Sequence, residues 1–260
     1  MRWANYALSE VPWRRTYAPS YVRRMDLVEI LPQLHMLRFP IGQAYLWREV
    51  TPDGTELTLI DAGNRDAAAD IEEAVRSLGA DPRDLRRIVL THCHRDHVGC
   101  AGELADRYGA EVLAHRLDAP VVRGVAPTPQ PVLMDWELPL YEHGLTVPEA
   151  PATRVDRELE EGDVLDFGGG ARIVHAPGHT DGSLAVHLPH HGVLFTGDCV
   201  AAVGEVMLGV FNVDRDQALA TMRRLASLAP SVACFGHGDP LTEDTATRLI
   251  AAADTASAGQ

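Results

Sequence analysis

The sequence predicts an α/β fold in which the functional side chains converge on one edge of a sheet sandwich. Short apolar runs of the length typical of buried strands recur along the chain and alternate with amphipathic helical segments. A residue able to bind a metal ion follows the end of each of four such runs. Glycines lie beside these residues and allow close approach of the backbone. Together these three observations indicate a layered sheet with one functional edge.

The elements follow from apolar periodicity and from turn signals. The pattern predicts strands at 28–31, 34–37, 44–50, 57–60, 86–90, 111–114, 171–175, 184–188, 193–195 and 232–235. It predicts helices between Asn64 and Gly79 and at 99–108, 215–229 and 242–253. The first helix carries an apolar stripe of Ile71, Val75 and Leu78, and we expect Asn64 to cap it.

Composition limits the classes of function. The formal net charge is -14, which argues against nucleic acid as the main partner, because phosphate contacts need a basic surface. The four cysteines form no CxxC pair, so we expect reduced thiols and a cytoplasmic protein. No apolar run is long enough to span a membrane. A small-molecule substrate, with neither nucleic acid nor membrane as partner, is therefore expected.

Two segments differ from the rest of the chain. Residues 1–24 are basic and aromatic, with Glu10 as the only acid; they form either an arm on the domain or on the partner subunit of a homodimer, or a leader before a start at Met25. Residues 25–260 form the main domain. Within it, 115–150 is rich in proline, and a long segment of this kind is usually functional or mobile. We expect a lid or pocket wall there, although a surface excursion without a role fits nearly as well.

The chemistry is concentrated in the motif Thr91-His92-Cys93-His94-Arg95-Asp96-His97, which follows the strand at 86–90. Residues two apart in an extended chain point the same way, so His92 and His94 can reach one point together. Asp96 and His97 follow where the chain turns, so their side chains can reach a second point nearby. Nitrogen and carboxylate ligands suit zinc, and also iron or manganese.

Three further candidates stand at later strand ends. His179 follows the strand at 171–175, Asp198 follows Val193–Phe195, and His237 follows the strand at 232–235. With the four side chains of the motif they make seven ligands, enough for two metal ions that share a bridging carboxylate. Cys93 points away from its histidine neighbours if the strand alternates, so it is expected to be packed.

The set His92-x-His94-x-Asp96-His97, His179, Asp198 and His237 resembles the metallo-β-lactamase superfamily, and the similarity covers about residues 27–253. The resemblance implies a four-layer αβ/βα sandwich. It implies that one metal is bound by His92, His94 and His179, that the second is bound by Asp96, His97 and His237, and that Asp198 bridges. Asp61, at a strand-end Asp-x-Gly, either orients a ligand or only caps a turn.

The family chemistry implied by this resemblance is hydrolysis. Two zinc ions, with iron or manganese as alternatives, lower the pKa of a shared water, and the resulting hydroxide attacks a carbonyl or phosphorus centre. Asp96 and Asp198 are the expected catalytic carboxylates, and Asp96 is placed to steer the hydroxide. True β-lactamases of the superfamily generally carry cysteine where this chain has Asp198, so antibiotic hydrolysis is not expected.

Within the superfamily the ligand set is similar to the glyoxalase II-like branch, without the helical C-terminal region that binds glutathione. We therefore expect hydrolysis of a small carboxylic ester, thioester or lactone. The alternatives are a phosphodiesterase and an iron-dependent enzyme of sulfur or oxygen redox chemistry. Four side chains are expected to line the substrate pocket: Trp136, Tyr141, Met207 and Phe211.

Overall fold

The computed structural model describes residues 25–52 and 54–258; the extension predicted at 1–24 lies outside them. The strands of the described residues are β1 Asp26–Leu31, β2 Leu34–Arg38, β3 Gln43–Thr51, β4 Gly54–Ile60, β5 Leu85–Leu90, β6 Glu111–His115, β7 Arg157–Leu159, β8 Val164–Leu165, β9 Ala171–His175, β10 Leu184–Leu188, β11 Val193–Phe195, β12 Val200–Val203, β13 Glu205–Leu208 and β14 Val232–Cys234. The helices are α1 Ala68–Ser77, α2 Arg95–Val98, α3 Ala101–Tyr108, α4 Ala119–Val122, α5 Leu138–Gly144, α6 Arg215–Ser227 and α7 Thr245–Ala258.

The strands form two large sheets and a hairpin. The first sheet has the order β1-β2-β3-β4-β5-β6-β7; it is antiparallel up to β4 and parallel from β4 to β7. The second has the order β14-β11-β10-β9-β8, in which only β11 and β14 are parallel neighbours. Strands β12 and β13 pair separately as a hairpin. Parallel neighbours bring the ends of β5, β11 and β14 to common edges, where the ligand candidates follow.

Alternation along the strands explains the layers, because successive side chains face opposite sides of a sheet. In β4, Ile60 faces the second sheet and packs in one cluster with Val186 and Phe195. Its neighbour Leu59 faces outward and packs with Ile71 of α1 in another cluster. A third cluster packs α6 and α7 against the outer face of the second sheet. The order helix, sheet, sheet, helix is the predicted αβ/βα sandwich.

Helix boundaries differ from the prediction in two places. The helix expected at 99–108 begins at Ala101 as α3, and a separate short helix, α2, precedes it at Arg95–Val98. Gly99 lies between them, where an added Cβ would lie 2.1 Å from the carbonyl carbon of Asn64. The expectation that Asn64 caps the first helix is wrong. Its Oδ1 instead accepts from the backbone N–H of Asp66 at 3.1 Å, and α1 begins at Ala68 without a side-chain cap.

The Pro-rich segment at 115–150 contains the short helices α4 and α5, and its remainder is irregular. None of the helices in residues 25–52 and 54–258 has the length and apolarity that crossing a membrane requires.

Candidate metal centre

The motif after β5 presents its side chains in two directions. His94 has extended backbone angles immediately before α2, and its carbonyl accepts from the backbone N–H groups of His97 and Val98. The extended chain up to His94 keeps His92 on the same side as His94, whose ring centroid lies 4.8 Å from that of His92. The turn of α2 then carries Asp96 and His97 to a separate position. The two-directional motif predicted from spacing is thus present.

The other three candidates come from the second half of the sandwich. His179 lies in the loop after β9, Asp198 in a 3-10 turn directly after β11, and His237 in the turn after β14. These loops open at the same edge as the motif after β5. The structure therefore brings together all seven side chains that the sequence singled out: His92, His94, Asp96, His97, His179, Asp198 and His237.

Two groups of three are apparent within this cluster. In the first, His92, His94 and His179 have ligand atoms within 4.8 Å of one another, and His179 Nε2 lies 2.9 Å from His94 Nδ1. In the second, Asp96 Oδ2 lies 3.5 Å from His97 Nε2 and 3.3 Å from His237 Nε2.

Asp198 lies between the two groups. Its Oδ2 is 3.7 Å from His179 Nε2 and 3.9 Å from His92 Nε2, both in the first group. The same oxygen is 3.2 Å from His237 Nε2, and Oδ1 is 3.4 Å from His97 Nε2. One carboxylate therefore reaches ligand atoms of both groups, which is the position that a bridging ligand requires.

The cluster fits divalent cations by its unsatisfied atoms. His92 Nε2, His97 Nε2 and Asp198 Oδ1 are buried without a hydrogen-bond partner, although buried polar atoms are nearly always paired. An orphaned buried acceptor costs on the order of 1–3 kcal/mol. The three atoms face one space and are of types that coordinate zinc or iron, so bound cations would satisfy all of them together.

The charges of the cluster fit cations as well. Burial, followed by the neighbouring histidines, holds the pKa of His94 at about 4, so this ring is neutral at pH 7 and keeps a lone pair. Burial also lowers the pKa values of His92 and His179. Burial alone would lower the pKa of His237, but Asp198 and Asp96 raise it to about 10. A proton at His237 thus compensates carboxylates that a cation would otherwise neutralise.

Asp61 controls which nitrogens are left free. Its Oδ2 accepts from His97 Nδ1 at 2.9 Å and from the Thr91 hydroxyl at 2.8 Å. Because that hydroxyl donates to Asp61, its oxygen accepts from His92 Nδ1 at 3.0 Å. Both rings therefore carry hydrogen on Nδ1, and Nε2 is the atom that faces the cluster. His179 is fixed likewise, since its Nδ1 donates to the Val210 carbonyl at 2.9 Å. Asp198, Asp96 and Asp61 raise the pKa of His97 against the effect of burial, so a cation bound at its Nε2 would take the place of a proton.

Sequence reasoning missed two residues that fix the His237 turn. Gln43 in β3 donates to the carbonyls of Phe235 and Gly238 at 2.9 and 2.7 Å. Tyr45 donates to the same Phe235 carbonyl at 2.7 Å and accepts from the Phe235 N–H at 3.0 Å. Both side chains are buried. Polar residues at alternate positions of an apolar strand were the available signal.

Small residues give the cluster its space. A Cβ on Gly236 would lie 1.8 Å from Asp198 Oδ1, and one on Gly42 would lie 2.9 Å from the Asp96 carbonyl oxygen. Glycine is therefore required at 236 for the carboxylate of Asp198 to occupy its observed position.

The segment at 115–150 contacts two neighbours of the cluster. Arg95 of the motif donates to the Val147 carbonyl at 2.9 Å and pairs with Glu149 at 2.5 Å. The buried Glu137 carboxylate accepts from the Phe211 N–H at 3.3 Å, and Phe211 adjoins the Val210 carbonyl that His179 binds. The segment is thus attached to the histidine motif and to the loop at 209–214, whose Val210 carbonyl accepts from His179.

The four predicted pocket residues fall in two places. The rings of Tyr141 and Phe211 meet edge to face, with centroids 5.3 Å apart, and Phe211 follows Val210, whose carbonyl accepts from His179. Trp136 and Met207 instead line an open groove with Arg215 and Arg248, to which none of the seven clustered residues contributes.

Comparison with known proteins agrees with this geometry. The chain is 26% identical over 230 residues to the probable metallo-hydrolase YflN of Bacillus subtilis, a match that covers 80% of this chain and 85% of that protein. It is 31% identical over 183 residues to a hydroxyacylglutathione hydrolase of Cereibacter sphaeroides, covering 68% of this chain. The chain spans 59% of that enzyme's length, and 66% of the probable metallo-hydrolase YqjP of B. subtilis.

Solved structures share the fold. TTHA1623 in a di-iron-bound form superposes with a TM-score of 0.59 at 29% identity, covering 82% of this chain and 96% of that one. The subclass B3 metallo-β-lactamase BJP-1 of Bradyrhizobium japonicum has a TM-score of 0.66 at 20% identity, covering 90% and 91% of the two chains. The model of the metallo-beta-lactamase superfamily matches residues 38–237. The chain belongs to the metallo-β-lactamase superfamily.

Proposed function

We propose that this protein is a dinuclear hydrolase of a small carboxylic ester, thioester or lactone. One observation carries the proposal: seven side chains from four separate loops converge, and three of their buried ligand atoms lack partners. In this proposal His92, His94 and His179 hold one cation. Asp96, His97 and His237 hold the second, and Asp198 is shared.

Two bound cations would acidify a water molecule and stabilise the negative charge that develops on the substrate carbonyl oxygen. The protein supplies orientation for this chemistry. Asp96 faces His97 and His237 through Oδ2, which leaves Oδ1 to accept a hydrogen bond from the attacking water and to direct its lone pair. Asp198 holds the two halves of the cluster at a fixed separation. Asp61 keeps the imidazoles of His92 and His97 in the ligating tautomer.

The substrate class is inferred from the surroundings of the cluster. Tyr141 and Phe211 form an aromatic pair, and Phe211 is one residue from Val210, which bonds to His179. Apolar ring surface of this kind suits the carbon skeleton of a small acyl compound. The net charge of -14 disfavours a polyanionic substrate such as a nucleic acid. The chain is similar to a hydroxyacylglutathione hydrolase, and the hydroxyacylglutathione in that name is a thioester. This similarity supports a thioester or a related carbonyl compound as substrate.

We propose zinc as the metal, because imidazole and carboxylate ligands suit it. Iron is the specific alternative, since the structural neighbour TTHA1623 has been solved with two irons bound. A redox reaction of sulfur or oxygen species is then the second candidate function. All four cysteines are free and buried, which supports a reducing, cytoplasmic location.

The direct test is a panel of carboxylic esters, thioesters, lactones and phosphodiesters with wild-type protein and three variants. We expect His94→Ala and Asp198→Ala to lose metal and turnover together. His190→Ala is the matched control, since this exposed histidine lies in a turn outside the cluster. Turnover and metal retained in both cluster variants would refute the proposal, and oxygen uptake by an iron form would favour the redox alternative.

A further inference from the structure

Outside the seven clustered residues, Asp118 is a buried carboxylate with an unusual set of partners. It is 1% exposed and lies directly before α4. Aspartate is a favoured residue at a helix start because its oxygens accept from the first turn, but Asp118 makes no such bond to α4. Its two oxygens face another part of the chain. Helix capping therefore does not explain why a carboxylate is buried here.

The partners of Asp118 belong to the loop that carries His179. Its Oδ2 accepts from the Thr180 hydroxyl at 2.8 Å, and its Oδ1 accepts from the Gly182 N–H at 2.9 Å. The loop is closed on itself by Ser183, whose hydroxyl oxygen accepts from the Thr180 N–H at 3.0 Å. An added Cβ on Gly182 would lie 2.5 Å from Asp118 Oδ1, so the observed approach of the loop to the carboxylate leaves no room for a side chain at 182.

Asp118 also contacts the histidine motif. Burial, followed by the neighbouring Asp118 carboxylate, raises the pKa of the Cys93 thiol, which is 7% exposed. Cys93 lies between His92 and His94, and its own side chain is absent from both groups of metal-binding candidates. A single carboxylate thus bonds to the His179 loop and adjoins the histidine motif. These two segments supply His92, His94 and His179. In that group the nitrogens of His94 and His179 come within 2.9 Å of each other.

We propose that Asp118 is a positioning residue that fixes the His179 loop against the histidine motif and so sets the affinity of that group for its cation. The inference rests on the proposed function, in which these three histidines hold a cation. It assigns to Asp118 no contact with substrate or metal. The effect acts through Thr180, whose hydroxyl connects the carboxylate to the residue next to His179. Partners one shell outside metal ligands typically contribute about 10–100-fold in metal affinity.

The test compares two substitutions at Thr180, because Asp118→Ala orphans several buried donors and endangers folding. Thr180→Val keeps the shape and removes the hydroxyl, whereas Thr180→Ser keeps the hydroxyl and removes a methyl group. Glu72→Gln is the stability control: Glu72 is a buried carboxylate bonded to Arg76 and Arg107, away from all ligand loops. The two zinc dissociation constants of each protein are measured by competition with a chromophoric chelator, and folding by circular dichroism.

We expect Thr180→Val to weaken one of the two zinc sites by about tenfold and to leave the other site and the fold intact. Thr180→Ser and Glu72→Gln should match the wild type within about twofold. Equal zinc affinities in the wild type and in Thr180→Val would overturn the positioning role and leave the proposed function standing. The same conclusion would follow if Glu72→Gln lost as much zinc affinity as Thr180→Val. Wild-type protein that binds no zinc or iron would instead refute the proposed function itself.

Discussion

Replacing Asp61 with asparagine changes one atom and disturbs three hydrogen bonds. The carboxylate is 2% exposed and accepts from the Thr91 N–H at 2.7 Å, the Thr91 hydroxyl at 2.8 Å and His97 Nδ1 at 2.9 Å. The asparagine amide offers one oxygen and one NH2 group in place of two oxygens. If the asparagine oxygen accepts from the Thr91 N–H, the asparagine NH2 group faces His97 Nδ1 and favours the tautomer of His97 with hydrogen on Nε2. If the amide is turned over, two donors, the NH2 group and the Thr91 N–H, face each other.

The magnitude follows from this conflict. Either orientation leaves one buried donor unsatisfied, which costs about 1–3 kcal/mol. For a domain of this size, 1 kcal/mol shifts the melting temperature by about 2–4 °C, so we expect a decrease of roughly 2–12 °C. A His97 with hydrogen on Nε2 is no longer a ligand through that atom. We therefore expect the group of Asp96, His97 and His237 to bind its cation about 10–100-fold more weakly.

The assay is differential scanning calorimetry together with zinc titration of apo-protein. Asp66→Asn is a suitable control, because Asp66 is exposed and offers only its backbone N–H to the nearby turn. An Asp61→Asn protein with unchanged melting temperature and two unchanged zinc affinities would contradict the tautomer argument.

Four further outcomes are expected. Gly236→Ala should lose more than about tenfold in zinc affinity, measured by chelator competition, because its Cβ would lie 1.8 Å from Asp198 Oδ1 and ligand misplacement weakens binding. Gly144→Ala is the control and should keep its zinc affinity, because the added Cβ meets nothing within 4 Å. Tyr141→Ala should raise KM about 2–12-fold with little change in kcat, because the proposed substrate would lose one ring contact, and such a contact contributes about 0.5–1.5 kcal/mol; a fall in kcat alone would contradict this. Burial and the stacked His175 ring lower the pKa of His115 to about 4, so the unfolded chain binds a proton first. The free energy of unfolding should then fall as pH drops from about 6.5 to 4, and His115→Gln should reduce that slope in urea titrations. Dialysis against a chelator should abolish turnover, and added zinc should restore it.

The seven clustered residues were predictable because strand periodicity and ligand type act locally. The spacing of His92 and His94 fixes their common direction once the preceding residues form a strand. Residues Asp198 and His237 each follow an apolar run by one to three positions, so that the sheet edge assembles them. The layered fold follows from the same alternation, as in Leu59 and Ile60.

The supporting residues were not predictable in this way, because their partners are distant in the chain. Asp118 bonds to Thr180 across 62 positions, and Gln43 bonds to Phe235 across 192 positions. Nothing near these residues in the sequence indicates the partner. Only the packing of the two sheets decides which buried polar groups meet. The β12–β13 hairpin was likewise missed, since the apolar run at 200–203 adjoins the turn of Asp198 without a helical or strand period of its own.

Elemental analysis of purified wild-type protein beside Asp198→Ala tests the central claim most directly, because that claim concerns a pair of cations shared by one carboxylate. Close to two equivalents of zinc or iron per wild-type chain, falling to one or fewer in Asp198→Ala, is the predicted result. Fewer than one equivalent in wild-type protein supplied with both metals, or two equivalents retained by Asp198→Ala, would contradict it.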